Sequence, residues 1–157
     1  MPKVSVVMSV YNGEKYLKES VESILNQTFS DFEFIIINDG STDKTPEILR
    51  SFNDERIKVI NQENMGLTRS LNKAINLVIG EYIARMDADD VSLPERLERQ
   101  VEFLDENLDV GMVGTACKEI DRDGQEIGIF SPPTTNNELK KVLIRYNPFV
   151  HASVMIR

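Results

Sequence analysis

The segment Val4 to Val10 constrains this chain more than any other. It is rich in valine and apolar almost throughout, without the alternation of a half-exposed strand, and it stops at Tyr11-Asn12-Gly13. Such a run is expected of a strand covered on both faces that feeds a turn. From Glu14 onward Leu17, Val21, Ile24 and Leu25 fall at helical spacing, with Lys15, Lys18, Glu19 and Glu22 elsewhere, so a helix follows. The unit then repeats. Phe32 to Ile37 reads as a buried strand, Asn38 to Asp43 as a turn, and Pro46 to Phe52 as a short helix with proline in its first turn. Ile57 to Ile60 is a third strand. The helix beyond Gly66 places Leu67, Leu71, Ala74, Ile75 and Val78 on one face, and Tyr82 to Met86 is a fourth strand.

Strands that alternate with helices favour an α/β fold with a mostly parallel sheet and helices on both faces, because parallel neighbours need a crossover. Beyond the acidic segment Asp87-Ala88-Asp89-Asp90, Ser92 is placed to cap a helix with Pro94 in its first turn and Leu97, Val101 and Leu104 as its inward stripe. After Val110 the pattern changes. Met112 to Ile120 reads as a strand, Asp121 to Gly124 as a tight turn and Gln125 to Phe130 as the return, an antiparallel hairpin. A last helix is expected over about Asn137 to Arg145, and Ala152 to Ile156 resembles one more strand. Edge strands normally need protection, so an apolar strand pattern running to Arg157 leads us to expect a chain that is part of a longer one.

At 157 residues, with 41% hydrophobic and 28% charged residues, the chain fits a single domain, 1–157, that folds throughout. A net charge of −8 argues against nucleic acid, whose affinity comes mainly from Lys and Arg displacing counterions. It does not exclude one small polyphosphate held by a cation and one or two basic groups. Cys117 is the only cysteine, so no internal disulfide forms and a reducing compartment is expected. No stretch approaches the ~20 apolar residues of a membrane span. These features predict a cytoplasmic protein, with peripheral contact at the membrane left open.

In an open parallel sheet, ligands bind outside the carboxyl ends of the strands, so polar residues that directly follow strands are the first candidates. Asp87, Asp89 and Asp90 put three carboxylates within four positions at such an end. Residues two apart in extended chain point to one side, which directs Asp87 and Asp89 at one site and Asp90 away unless the backbone turns. Two carboxylates ~4 Å apart repel by about 1 kcal/mol in water and ~4 kcal/mol near a protein surface, and a hard divalent ion removes that repulsion. The competing reading is a solvated loop whose last aspartate caps the next helix, which Ser92 weakens by offering its own cap. Asp39 follows a buried strand and is able to accept bonds from a base or ribose, whereas its segment through Asp43 also reads as an ordinary turn. In the segment Ser9 to Gly13, Tyr11 is placed either to stack on a base or simply to pack. Arg69 and Arg85 are the basic groups best placed for phosphate, or else surface charges. His151, the only histidine, lies in no metal motif and is open to a structural or acceptor-side role.

Taken together, Pro2-Lys3-Val4-Ser5-Val6-Val7-Met8-Ser9-Val10-Tyr11-Asn12, Asn38-Asp39-Gly40-Ser41-Thr42-Asp43, Gly80-Glu81-Tyr82-Ile83-Ala84, the acidic segment, Pro94-Glu95-Arg96-Leu97 and His151-Ala152-Ser153-Val154-Met155-Ile156-Arg157 resemble family 2 glycosyltransferases in order and spacing. The resemblance spans nearly the whole chain. It implies a GT-A (Rossmann-like) fold, a divalent metal (Mg²⁺ or Mn²⁺), a nucleotide-diphosphate sugar donor with uridine diphosphate as the default, and transfer with inversion to a hydroxyl acceptor, in a setting such as surface polysaccharide synthesis. Residues 1–110 would then be the nucleotide-binding βα units and 111–157 the start of the acceptor-side region that carries His151. By position, Asp39 looks like the carboxylate that reads the base, Tyr11 like part of the base pocket beside Ser9, and Arg69 like a nucleotide contact. Asp89 looks like the central metal residue, with Asp87 or Asp90 as its partner, and the same-face argument favours Asp87. The family's general base, an Asp or Glu, usually lies beyond the segment resembling His151 to Arg157, so none is nominated here.

Two other classes compete. A non-catalytic nucleotide-sugar-binding module would share the donor residues and lack the base. A signalling receiver domain would need acidic residues directly after the first strand, where this chain has Tyr11, Asn12 and Gly13.

Overall fold

The computed structural model describes every residue from Met1 to Arg157. The four strands expected in the first half are present as β1 (Val4–Val10), β2 (Phe32–Asp39), β3 (Ile57–Gln62) and β4 (Tyr82–Asp87), mutually parallel where they pair. Between and after them run α1 (Leu17–Leu25), α2 (Thr45–Ser51), α3 (Leu67–Ile75) and α4 (Arg96–Glu106). With β5 (Met112–Val113) and β8 (Met155–Ile156) the sheet has the order β3-β2-β1-β4-β8-β5, in which β8 is antiparallel to both neighbours. Beside it stand a separate hairpin of β6 (Cys117–Ile120) and β7 (Glu126–Phe130), and α5 (Asn136–Leu143). No helix is long and apolar enough to cross a membrane.

The apolar runs explain the layering. Alternate residues of β1, β2 and β4, among them Val6, Met8, Phe34, Ile36, Ala84 and Met86, meet Leu17, Val21 and Ile24 of α1, Leu49 of α2 and Leu97, Val101 and Leu104 of α4. The intervening residues Val7, Ile35 and Ile37 turn to the other face and meet Ala74 of α3. All eight residues of β2 are buried, and each large side chain so enclosed contributes roughly 1.5–3 kcal/mol relative to exposure.

Several details differ from the expectation, each for a physical reason. Only part of the predicted inward stripe of α3 turns in: Ala74 is buried, as is Ser70, which lay outside the stripe, Leu71 and Val78 are half-buried, and Leu67 and Ile75 are 48% and 45% exposed. Small side chains let this helix lie close to β1 and β2, and Ser70 ties its hydroxyl to the Gly66 carbonyl at 3.1 Å and accepts from Gln62 Nε2 at 2.9 Å. Ser92 is not the cap of α4, which begins only at Arg96. That role passes to Gln27, just past α1, whose Oε1 accepts the Leu97 N–H at 3.0 Å while its Nε2 donates to the Leu93 carbonyl at 2.8 Å. The strand expected over Met112 to Ile120 is broken into β5, which joins the sheet, and β6, which joins the hairpin. Of the strand expected over Ala152 to Ile156 only β8 remains, because His151–Ser153 form a 3-10 turn.

Candidate functional site

The sheet grows from β1 toward β2 and β3, and then the chain crosses back so that β4 pairs with the other side of β1. The two crossovers therefore diverge above the carboxyl ends of β1 and β4, where an open α/β sheet has its natural crevice. A cleft of about 370 Å³ lies there, lined by Ser9, Tyr11, Asn12, Gly13, Lys15, Asp87 and Asp89 among others. Ser9 and Asp87 are direct partners in the β1–β4 register, which brings residues 78 positions apart into one floor. Ser20 of α1 donates from its hydroxyl to the Asp87 carbonyl at 2.7 Å and anchors the end of β4. A somewhat larger hollow, between Ser131-Pro132-Pro133 and α5, contains a single carboxylate, Glu138, and offers nothing suited to a cation with a diphosphate.

The wall of the cleft is held from the side. Asn12, with φ 53°, accepts the Thr42 N–H at 2.8 Å and donates its own N–H to Ser41 Oγ at 3.0 Å. The Gly13 N–H reaches Thr45 Oγ1 at 2.8 Å, the Glu14 N–H reaches Asp43 Oδ2 at 3.0 Å, and the Lys44 N–H returns to Glu14 Oε2 at 3.0 Å. Polar residues of Asn38 to Asp43 thus fasten the turn and the neighbouring loop. Gly40 has φ +75°, and a Cβ there would meet the Asn64 backbone nitrogen at 2.7 Å, so only glycine fits the turn.

Of the expected nucleotide residues, Ser9, Tyr11 and Asp87 come together. Tyr11 is 55% exposed, with its ring available to a ligand. Asp39 is only 2% exposed and does not line the cleft. Its Oδ1 accepts from Gln62 Nε2 at 2.7 Å and the Met65 N–H at 2.9 Å, and its Oδ2 accepts the Gly66 N–H at 2.9 Å, which fixes the approach to α3. Burial pushes its carboxyl up, but these hydrogen bonds outweigh that and hold it below the ordinary aspartate value. Arg69 is exposed on α3, outside the residues that line the cleft. His151 is exposed on the 3-10 turn beside β4.

Arg85 differs most from the expectation. Rather than reaching outward to phosphate, it is 5% exposed and forms an ion pair from Nη1 to Asp87 Oδ2. Nε and Nη1 are both buried without an acceptor in hydrogen-bonding geometry. Its carbonyl accepts from Arg96 Nη2 at 2.7 Å, and its N–H donates to the Val154 carbonyl at 3.0 Å. Arg96, on the other side of the sheet, bonds Gln100 Oε1 from Nε at 3.1 Å. Burial, then the charge of Arg85, pushes the Arg96 guanidinium down to about 10.

The carboxylates expected at the ion, Asp89 with Asp87 or Asp90, form no closed cluster: no three His, Cys, Asp or Glu side chains converge on one point. Asp87 faces its arginine, whereas Asp89 and Asp90 are exposed and take part in no ion pair. Asp90 does not cap α4, whose flanking residue is Glu95. Even though the residue's surface is exposed, partial burial of its carboxyl, then the charges of Asp87 and Asp89, push Asp90 above the ordinary value, with Arg85 and Arg96 pulling the other way. Oxygen ligands few in number and open to solvent fit a Mg²⁺-like ion that completes its shell with substrate phosphate and water. Lys15, in the cleft with its ammonium 4.5 Å from the Tyr16 ring centre, is a basic group that sequence reasoning passed over. Nothing in the helical spacing separated it from an ordinary surface lysine.

The family model for glycosyl transferase family 2 matches residues 5–155. An uncharacterised glycosyltransferase of Methanocaldococcus jannaschii is 43% identical over 162 residues, covering 99% of this chain and 56% of that protein. The O-antigen biosynthesis glycosyltransferase WbnJ of Escherichia coli is 40% identical over 157 residues, covering 98% of this chain and 61% of that one. The crystal structure of S. aureus TarS 1-349 in complex with UDP matches with a TM-score of 0.79 at 27% identity, over 99% of this chain and 46% of that chain. The mannosyltransferase PcManGT of Pyrobaculum calidifontis, solved with GDP-Man and Mn²⁺, matches with a TM-score of 0.67 at 26% identity, over 75% of this chain and 36% of that chain. This chain thus spans about half the length of the curated relatives it matches.

Proposed function

The chain belongs to glycosyl transferase family 2, and from that premise we propose that it forms the donor-binding part of an inverting glycosyltransferase that moves a sugar from a nucleoside diphosphate to a hydroxyl acceptor, in polysaccharide synthesis. One observation carries this reading: the topology brings Ser9, Tyr11, Asp87 and Asp89 into a single cleft at the point where the strand order reverses. A uridine diphosphate donor is supported by the likeness to the TarS–UDP structure, and a divalent ion by the likeness to the Mn²⁺-containing mannosyltransferase.

In this reading Tyr11 gives the base an aromatic face and Lys15 neutralises phosphate charge from the β1 side of the cleft. Asp89, with a neighbouring aspartate, would hold Mg²⁺ or Mn²⁺. When bound, such an ion supplies Lewis-acid stabilisation of the charge that develops on a leaving diphosphate. Asp39 acts at one remove, by fixing Met65 and Gly66 at the start of α3. Residues 111–157, with His151 at the edge of β4, are the beginning of the acceptor side. The proton of the acceptor hydroxyl needs a base within ~3 Å, and we assign it to no residue of this chain.

Titration calorimetry with uridine diphosphate and Mn²⁺ tests the reading. Asp89→Ala is expected to weaken binding by at least about tenfold, since one lost charge interaction of ~1.4 kcal/mol already has that effect. Binding equal to the parent's would remove the proposed site.

A further inference from the structure

One segment departs from the charge of the rest of the chain. From Asn136 to Asn147, over α5 and the turn behind it, the cations Lys140, Lys141 and Arg145 stand against a single acid, Glu138, in a chain of net charge −8. That acid is engaged locally. Glu138 Oε2 accepts from the Thr135 hydroxyl at 2.7 Å, and Thr135 Oγ1 accepts the Glu138 N–H at 3.3 Å, which closes the start of the helix. The three cations are exposed, and none of them pairs with a carboxylate. Cations in the last turn of a helix complement its dipole, which accounts for their place but not for what lies beside them. Leu143 is 50% exposed, Ile144 88% and Tyr146 53%, and α5 buries none of its residues. Ile144 keeps helical dihedrals, so Lys140, three and four residues before Leu143 and Ile144, shares their side of the helix. Apolar tips and an unpaired cation thus form one outward surface, flanked by Lys141 and Arg145. Lys141 and Tyr146 also line the hollow between α5 and Ser131-Pro132-Pro133, which lies at the margin of that surface. On α3, Leu67 and Ile75 are exposed to a like degree, but Arg69 and Lys73 lie two residues from them, on another side of the helix.

We propose that the outward surface of α5 and its following turn is a contact with an anionic lipid bilayer, on which the helix lies without crossing. Charge sets the sign of the partner: positive charge confined to one short segment is drawn to a negative surface from which the rest of an acidic chain is repelled. Shape sets its kind. A stable protein interface covers ~800 Å² on each side, more than three side chains on a convex helix supply. A bilayer needs no matching contour. Leu143, Ile144 and Tyr146 enter the boundary between headgroups and acyl chains, while the lysine stems lie alongside with their ammonium groups at the phosphates. At 8 residues α5 is too short to span. So few charges and apolar groups make the contact reversible. This inference goes beyond the reading of the cleft and does not depend on the ligand held there.

The test is co-sedimentation of the whole chain with vesicles of phosphatidylcholine alone and of phosphatidylcholine with a third phosphatidylglycerol, folding being checked by circular dichroism. Partition onto the anionic vesicles is expected to exceed that onto the neutral ones by about tenfold or more. It should fall away as salt shortens the Debye length from ~10 Å at 0.1 M to ~3 Å at 1 M. Lys140→Glu combined with Lys141→Glu should lower it by about tenfold or more, whereas Lys140→Arg combined with Lys141→Arg should keep it within about threefold of the parent. Ile144→Ser should lower it by about threefold or more. Leu67→Ser, at a comparably exposed apolar residue of α3, should leave it unchanged. Equal binding to both vesicles, a charge-reversed variant that binds as well as the parent, or an equal loss from Leu67→Ser would each overturn the proposal. So would light scattering that shows a dimer of the parent and a monomer of Ile144→Ser, because a second copy and not a bilayer would then cover the surface. Failure here leaves the reading of the cleft intact, since uridine diphosphate binding is measured without vesicles.

Discussion

Residues 1–110 and residues 111–157 are built on opposite terms. In the first, whole strands disappear from solvent, and the side chains of Phe34, Ile36 and Leu97 have no exposure at all. In the second, no residue between Gly111 and Asn147 is buried. The hairpin leaves Ile127 and Ile129 67% and 64% exposed, and α5 encloses none of its residues. A two-stranded hairpin is at best marginal by itself, so this region owes its place to Ala152–Met155, which are buried where the 3-10 turn and β8 meet β4. The difference teaches that regular backbone and stable structure are separate properties: hydrogen-bonded ladders occur in both regions, but the hairpin and α5 enclose no residue.

The sharpest way to break that contrast is hydrogen exchange. Backbone amides of β1 and β2 are expected to open only with global unfolding, and those of β6, β7 and α5 by local fluctuation, a ratio on the order of 10³ or more. Comparable protection in the two sets would show that the hairpin is held by something other than its own contacts. Point substitutions refine the same comparison. Ile36→Ala in the sealed core should lose about 3–4 kcal/mol in a urea melt, whereas Ile129→Ala should change stability by no more than about 0.5 kcal/mol.

A smaller effect concerns acid. Asp39 and Glu33 both have carboxyl groups held below their ordinary values of 3.8 and 4.5. For Glu33, burial pushes up, while Lys58 at 2.7 Å, Ser5 and the Ile79 N–H bring it down by a greater amount. A group depressed in the folded state stabilises the fold above its unfolded value and loses that contribution as pH falls through the folded one. Stability followed by circular dichroism should therefore fall as the pH drops below about 4, and Asp39→Asn should flatten that decline. An unchanged slope in the variant would show that the hydrogen bonds of Asp39 do not bear on folding.

How much of this was legible depended on whether the signal was local. The valine-rich run of β1 and the isoleucines of β2 announce buried parallel strands because burial on both faces leaves no freedom in residue type. The acidic segment announced itself by charge density, and its place beside Ser9 followed from the topology rule for open sheets. Partners distant in sequence were not legible. Gln27 as the cap of α4, 70 residues from Leu97, has no local signature that separates it from any glutamine at a helix end. Leu67 and Ile75 of α3 misled because periodicity identifies an apolar stripe but not how much of it a close-packed helix turns inward; Ser70, beside the expected Ala74, won by size. Arg85 was read as a surface charge or phosphate ligand because sequence conveys no depth, and its burial appears only in the folded sheet.

The six bonds between residues 12–14 and 41–45 make the two loops a single rigid jamb. A hinge between them would have to rupture the whole set together. No such lacing extends to the opposite post, the short stretch from Ala88 to Val91, so the cleft is fastened on one side and left on the other to the end of β4 alone.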